Sequence, residues 1–470
     1  MNANLNELLN ALPQDTAESE AELPREELER IFADLAMRRP PTTSLHRMWT
    51  IGELSVQVAL AYGAQTVRGW FADAEERERH RMEANLRIGL KIFHRLGYLR
   101  GALMKAGQMV GSLPHVAPAQ IVDTLDRLRF DAPPMHYSLI REVIENDLGR
   151  SPEEMFQSFE KEAFAAASIG QVHRATLKSG EQVAVKIQYP GIARTIDADL
   201  RSLATLLPPL RYIAGDGAGE RFDQIRRMMK QEADYELEAE SLRFARSIFA
   251  DRDDIVLPKV YPEYSGSRVL TMEYLPGLHV GDFLADNPSQ DLCDAFGAKI
   301  CFSWYRMHAE KMNYADPHSG NYLFMNDGRL GLIDFGCMQH FRDIEYQPLS
   351  QTARMATGGM AVVREVLLTN GASEEEMADE AFLEICVESS RFIAEPVLHG
   401  GPFDYGDPIH LKRRLEWNLR ICDNKSVIRN GSPFWMYYHR SDLALYALLY
   451  RLGARVDLST LPIAEWWGMK

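Results

Sequence analysis

The apolar positions of this chain change their period along its length. From 41 to about 150 they recur at three- and four-residue steps. "MWTIGELSVQVALAYGAQTVRGWF" and "ANLRIGLKIFHRLGYLRGALMKAGQMVGSL" each gather them on one helical face. Pro133-Pro134 interrupts this texture, and "SLIREVIENDLG" predicts one more helix, closed by Gly149. Alternation then takes over. "AAASIGQVHRATLKSGEQVAVKIQY" is β-branched around a "KSGE" turn and reads as antiparallel strands. Within "VAVKI", Val183, Val185 and Ile187 share one face, and Ala184 and Lys186 share the other. A charged helix is predicted from about Arg221 to Ala250, followed by the strand "RVLTMEYL". After Pro276-Gly277 the pattern is mainly helical, interrupted by "YADPHSGNYLF" and "LIDFG".

These shifts divide the chain into four pieces. Residues 1–40 are low in large apolar side chains and read as a mobile tail or a short docking helix. Residues 41–150 form an N-terminal helical extension. Residues 151–275 make a strand-rich small lobe and 276–470 a helix-rich large lobe. The fold class expected is α+β with two lobes. Near the C-terminus, "SPFWMYYHRSDLALYALLYRLGA" reads as a buried helix rather than a membrane-contacting one. Trp466 and Trp467 read as a docking or core element rather than a ligand cage.

Composition narrows the function. The net charge of −15 argues against a nucleic-acid binder, which needs a basic face. The five cysteines are widely spaced and odd in number, without a Cys/His ligand pattern, so a reducing compartment is expected. No secretory signal and no 18-residue apolar run is visible, which predicts a cytoplasmic location and leaves peripheral membrane contact open.

The chemistry concentrates in three stretches. Asp316 and Asn321 stand five positions apart in one loop, and Asp334 follows thirteen residues after Asn321 at a strand end. Upstream, the small-residue run holding Ala166, Ala167 and Ser168 precedes the strand that carries Lys186. A site for ATP and Mg2+ needs these parts in this order. A close-approaching loop and a rigid lysine meet the phosphates, an acid holds the lysine, and carboxylate and amide oxygens hold the metal. Each part alone is weak: "VAVK" is a common half-buried strand, and "ADPHSGN" an ordinary turn. The D-x-x-x-x-N spacing followed by D-F-G matches the protein-kinase catalytic loop, and the combination predicts a protein-kinase-like fold.

The sequence also resembles the UbiB-type, or AarF, atypical kinases. "KAGQ" at Lys105 to Gln108 is similar to their K-x-G-Q signature. "AAASIGQVHRA" resembles the alanine-rich loop that replaces a glycine-rich one. "VAVKIQYPG", "EADYELEA" and "ADPHSGN…LIDFG" follow in the family's order, with Ser319 where the family usually has proline. The resemblance covers about 85 to 340. It implies a kinase-like fold whose helical extension crosses the active site, magnesium and nucleotide binding, and ATPase activity more readily than transfer to proteins. It also implies a link to ubiquinone or other isoprenoid-lipid metabolism, with lipid- or quinone-pathway enzymes as candidate partners.

Residue by residue, Lys186 is expected on the α- and β-phosphates and Glu232 as its helix partner. Asp234, two positions on and turned away, serves Lys105 or the metal. Asn321 and Asp334 hold magnesium, and Asp316 occupies the catalytic-base position. His318 reads as a packing residue. Backbone groups from Glu273 to Leu275 meet adenine at the hinge between the lobes. Lys105 and Gln108 share a helix face and anchor the extension in the cleft. Two other readings compete: a nucleotide-controlled pseudokinase scaffold for lipid-pathway enzymes, and a small-molecule kinase, which K-x-G-Q and the alanine loop argue against.

Overall fold

Strand alternation from 170 to 188 builds the small lobe. The computed structural model describes residues 135–167, 169–193, 196–197, 226–314, 319–340, 348–369, 372–423 and 433–466. The tail, the K-A-G-Q stretch with Lys105 and Gln108, Ser168, the Asp316–His318 segment and Trp467 lie outside them.

Helix α1 (Tyr137–Leu148) ends at Gly149, whose positive φ of 69° suits a residue without Cβ. A single turn, α2 (Pro152–Met155), carries a capping box between Ser151 and Glu154 and leads into β1 (Phe156–Phe159). Three strands follow: β2 (Ala165–Ala167), β3 (Gly170–Leu177) and β4 (Gln182–Gln188). With β6 (Val269–Glu273) they form one antiparallel sheet, ordered β1-β3-β4-β6, with β2 paired to the start of β3. The two faces of β4 separate as the alternation predicts. Val183, Val185 and Ile187 are fully buried against Ile140, Val143 and Ile144 of α1, whereas Ala184 joins the core on the other side. Helix α1 therefore covers the back of the small-lobe sheet.

Helix α3 (Tyr235–Ile248) crosses the other face. Strand β5 (Ile255–Val256) then pairs in parallel with β9 (Leu330–Leu332), which is antiparallel to β8 (Tyr322–Phe324), so small-lobe chain is stitched to the loops of the large lobe.

The large lobe is helical around α5 (Gln290–Ala309), which α4 (Val280–Ala285) precedes. Ser289 caps α5, its side chain accepting from Leu292 N–H. Short strands β7 (Met312–Tyr314) and β10 (Met338–His340) pair behind the functional loops. Four helices follow: α6 (Pro348–Thr357), α7 (Gly359–Thr369), α8 (Glu374–Ala378) and α9 (Glu380–Leu398). Strand β11 (Pro402–Asp404), α10 (Pro408–Asp423), α11 (Pro433–Leu452), β12 (Arg455–Asp457) and α12 (Ile463–Trp466) complete the lobe.

The expected C-terminal buried helix is α11. Its Leu445, Tyr446, Leu448 and Leu449 are buried in the main core. Trp304 Nε1–H donates to Ser441 Oγ at 2.7 Å, and that hydroxyl donates to the Tyr314 carbonyl at 2.8 Å, tying α5, α11 and β7 together. Trp466 packs edge-on against Phe302, with ring centroids 5.4 Å apart. The α+β, two-lobed architecture is the one the sequence predicts. Among the described residues no helix is long and apolar enough to cross a membrane.

Candidate active site

Lys186 sits on the cleft face of β4, with Val172 of β3 and Leu270 of β6 as its cross-strand neighbours. It is only 4% exposed. A buried ammonium requires partners. Its Nζ donates to both Glu238 oxygens, at 2.7 and 2.9 Å, and to Asp334 Oδ2 at 3.3 Å. The tip also lies over the Tyr235 ring, 5.1 Å from its centroid.

The partner of Lys186 is thus Glu238 and not Glu232. The reason lies in where α3 begins. Asp234 is its N-cap, with Oδ1 accepting from Leu237 N–H at 3.1 Å. Glu232 precedes that cap, buried at the end of the preceding helical stretch. Glu238 stands one turn inside α3 on the face shared with Leu242 and Ala245, which is buried. Asp234 is exposed, and its observed work is capping. The sequence carried the signal: an aspartate followed by "YELE" and an apolar-periodic run marks a helix start, which puts the acid facing the strand at 238.

Asp334 follows β9. Its Oδ1 accepts from Gly336 N–H at 3.1 Å, closing an Asx turn over buried Phe335. Ile333 N–H donates to the Asn321 carbonyl at 3.1 Å, so the two loops carrying Asn321 and Asp334 run side by side. Asn321 ends a 3-10 turn, Ser319–Asn321, and is buried. The Asp334 side chain keeps 24% of its surface exposed, against 1% for Glu238. One carboxylate is therefore sealed on the lysine, and the other is partly open to solvent.

Electrostatics follow from this burial. Burial alone would lower the Lys186 pKa; the Asp334 and Glu238 carboxylates outweigh it and hold the ammonium well above its ordinary value. Burial pushes the Glu238 carboxyl up, to about 7, against the downward pull of Lys186.

The alanine-rich stretch forms β2, with Ala165 opposite Val172, Ala166 opposite Gln171 and Ala167 opposite Gly170. At Gly170 a Cβ would lie 2.2 Å from the Ile187 carbonyl oxygen, so only glycine allows β3 and β4 to approach there. At the other end of the cleft, Glu273 closes β6, Tyr274 N–H donates to the Gln182 carbonyl at 3.1 Å, and Leu275 is buried. Arg174 lies over both the Phe164 and Tyr274 rings, which meet edge-on, and donates to the Tyr274 hydroxyl at 3.0 Å. This packs the chain before the alanine-rich strand against the hinge.

Of the sequence-predicted residues, Lys186 and Asp334 meet directly, and Asn321 is beside them. Glu273 ends β6 with Leu275 buried just after it, and Ala166 and Ala167 lie in β2 opposite Gln171 and Gly170. Among the described residues no group of three His, Cys, Asp or Glu side chains is arranged to hold a metal. The oxygen set of Asp334 and Asn321 nevertheless suits magnesium, which takes one or two protein ligands and completes its shell from water and phosphate oxygens.

The family model for the ABC1 atypical kinase-like domain matches residues 127–357. "Atypical kinase COQ8, mitochondrial" of Schizosaccharomyces pombe is 30% identical over 446 residues, covering 91% of this chain and 70% of that protein. "Atypical kinase coq-8, mitochondrial" of Caenorhabditis elegans is 31% identical over 313 residues, 64% of this chain; the match spans only 41% of that longer relative. Among solved structures, the complex of Rv3197 with erythromycin from Mycobacterium tuberculosis aligns with a TM-score of 0.54 at 23% identity. It covers 84% of this chain and 98% of that one, a likeness of fold.

Proposed function

The chain belongs to the UbiB/AarF-type atypical kinases, the ABC1 family, and on that premise we propose that it binds magnesium–ATP and turns it over, as an ATPase or atypical kinase, in support of ubiquinone or other isoprenoid-lipid metabolism. The observation that carries the reading is the Lys186–Glu238–Asp334 cluster, because a strand lysine paired with a helix glutamate beside the D-F-G aspartate is the arrangement phosphoryl transfer needs.

In this reading Lys186, held rigid by Glu238, neutralises phosphate oxygens. Asp334 and Asn321 offer oxygens to magnesium. Bound magnesium–ATP supplies the transferable phosphoryl group. Leu275 and the backbone of Glu273 border the adenine, and β2 with Ala166 and Ala167 covers the phosphates. Asp316 takes the catalytic-base role, and Lys105 with Gln108 anchors the extension. A scaffold without turnover would share the binding site. The intact Lys186–Glu238 pair favours the enzyme, since binding alone does not require it.

The test is metabolic. Cells lacking the protein are profiled for isoprenoid quinones, then complemented with the parent or with Lys186→Ala. The parent restores the quinone pool and the variant does not. Restoration by Lys186→Ala would show that the pathway does not need the nucleotide chemistry of this site.

A further inference from the structure

Tyr235 opens α3, one residue after the capping aspartate. It is fully buried, at 0% exposure. Its ring carries the Lys186 ammonium, and its hydroxyl reaches the start of β3, where a Cβ added at Gly170 would come within 2.9 Å of it. Among the described residues the hydroxyl has no hydrogen-bond partner. Buried polar groups are nearly always paired, so an orphan at a charged site calls for an explanation. Tyr322 and Tyr446 also bury unpaired hydroxyls in the large-lobe core; of the three, Tyr235 is the one that touches the lysine.

The phenol's role follows from its neighbours. Burial holds it protonated, with nearby Glu238, Asp334 and Glu232 acting in the same direction and Lys186 opposing them. It is therefore a donor in search of an acceptor. Its place along the sheet says which acceptor. The hinge lies at the Val183 end of β4, opposite Glu273, whereas Gly170 lies opposite Gln188. Those ends are about 16 Å apart at the rise of an extended strand. A nucleotide whose base sits at the hinge directs its phosphates toward the other end of β4, past the Lys186 ammonium that lies over the Tyr235 ring.

We propose that Tyr235 is a phosphate-binding residue of this site, its hydroxyl donating to a phosphate oxygen of the nucleotide that Lys186 holds. The proposal rests on the nucleotide reading given above and adds a residue to it. It makes Tyr235 a discriminator between phosphorylated and unphosphorylated adenine compounds, because a hydrogen bond to a charged oxygen is among the stronger ones.

The experiment deletes one atom. Parent and Tyr235→Phe are titrated calorimetrically with magnesium–ATP and with adenosine, and both are melted without ligand. The variant should melt at or above the parent, having lost an orphan hydroxyl. Its adenosine affinity should match the parent's, while magnesium–ATP binds about tenfold more weakly, or about 1.4 kcal/mol. Unchanged ATP affinity overturns the proposal, and so does an equal loss for adenosine, which marks a purely structural role. A parent that binds no nucleotide brings down the nucleotide reading itself, and the proposal with it. Should the variant not fold, 3-fluorotyrosine installed at position 235 gives a second readout. Its fluorine resonance should shift with magnesium–ATP and not with adenosine, and a shift common to both, or none, refutes the assignment.

Discussion

Replacing Glu238 by glutamine removes one charge from the centre of the site and keeps the volume. In the parent, both Glu238 oxygens hold Lys186, at 2.7 and 2.9 Å. The two side chains are 1% and 5% exposed, so solvent screens the pair little. Breaking a buried pair costs about 3–5 kcal/mol when the surviving charge is stranded. Here Lys186 keeps Asp334 at 3.3 Å, and that carboxylate is partly solvated. Roughly half the full cost, about 2 kcal/mol of stability, is therefore expected. Lys186 would also lean onto Asp334 and compete for the oxygens offered to magnesium, weakening magnesium–ATP by about tenfold. Denaturant unfolding and calorimetric titration measure the two effects. Glu236→Gln, on the exposed side of the same turn, is the control and should stay within about 0.5 kcal/mol. The reasoning is refuted if Glu238→Gln behaves like that control while Glu232→Gln shows both losses.

Two further outcomes follow from burial and from close packing. His308 is 3% exposed, its Nδ1–H donates to the Trp304 carbonyl at 2.8 Å, and burial lowers its pKa to about 4. The unfolded histidine titrates near 6.5, so stability present above that pH is lost as pH falls from about 6.5 to 4, in all about 3 kcal/mol; unfolding curves of His308→Gln across this window should be flatter than the parent's, and equal slopes would contradict the assignment. Gly170→Ala forces a methyl to 2.2 Å from the Ile187 carbonyl oxygen, next to Lys186 in the strand; it should lower stability by about 1–3 kcal/mol, as overpacking does, and an unshifted melting curve would show that β3 and β4 can separate without cost.

Much of the fold was legible because its periods are clean. The "VAVKI" alternation put Val183, Val185 and Ile187 on one face and Ala184 and Lys186 on the other, as observed. The spacing of Asn321 and Asp334 around a short hairpin was legible too, since β8 and β9 fix the loops that flank them. Glu238 was missed because the charged helix was read as continuous from Arg221 to Ala250. In a run so rich in acids, only the cap at Asp234 tells which glutamate faces inward. Tyr235 carried no sequence signal for its role, because an aromatic at a helix start usually means core. The approach of its hydroxyl to Gly170 is a tertiary fact. Likewise, α1 continues the helical texture of the extension, yet its apolar face packs on the small-lobe sheet. Periodicity defines a face but not what it meets.

The central claim is that Lys186, Asn321 and Asp334 form one magnesium–nucleotide site. Calorimetric titration of the parent, Lys186→Ala and Asp334→Asn with ATP, each with magnesium and again with a chelator, tests it most directly. The parent should bind ATP tightly only with magnesium. Lys186→Ala should bind at least about tenfold more weakly in both conditions. Asp334→Asn should lose the magnesium dependence, binding ATP weakly whether or not the metal is present. If both variants bind magnesium–ATP as tightly as the parent, these residues do not form the site, and the account is wrong.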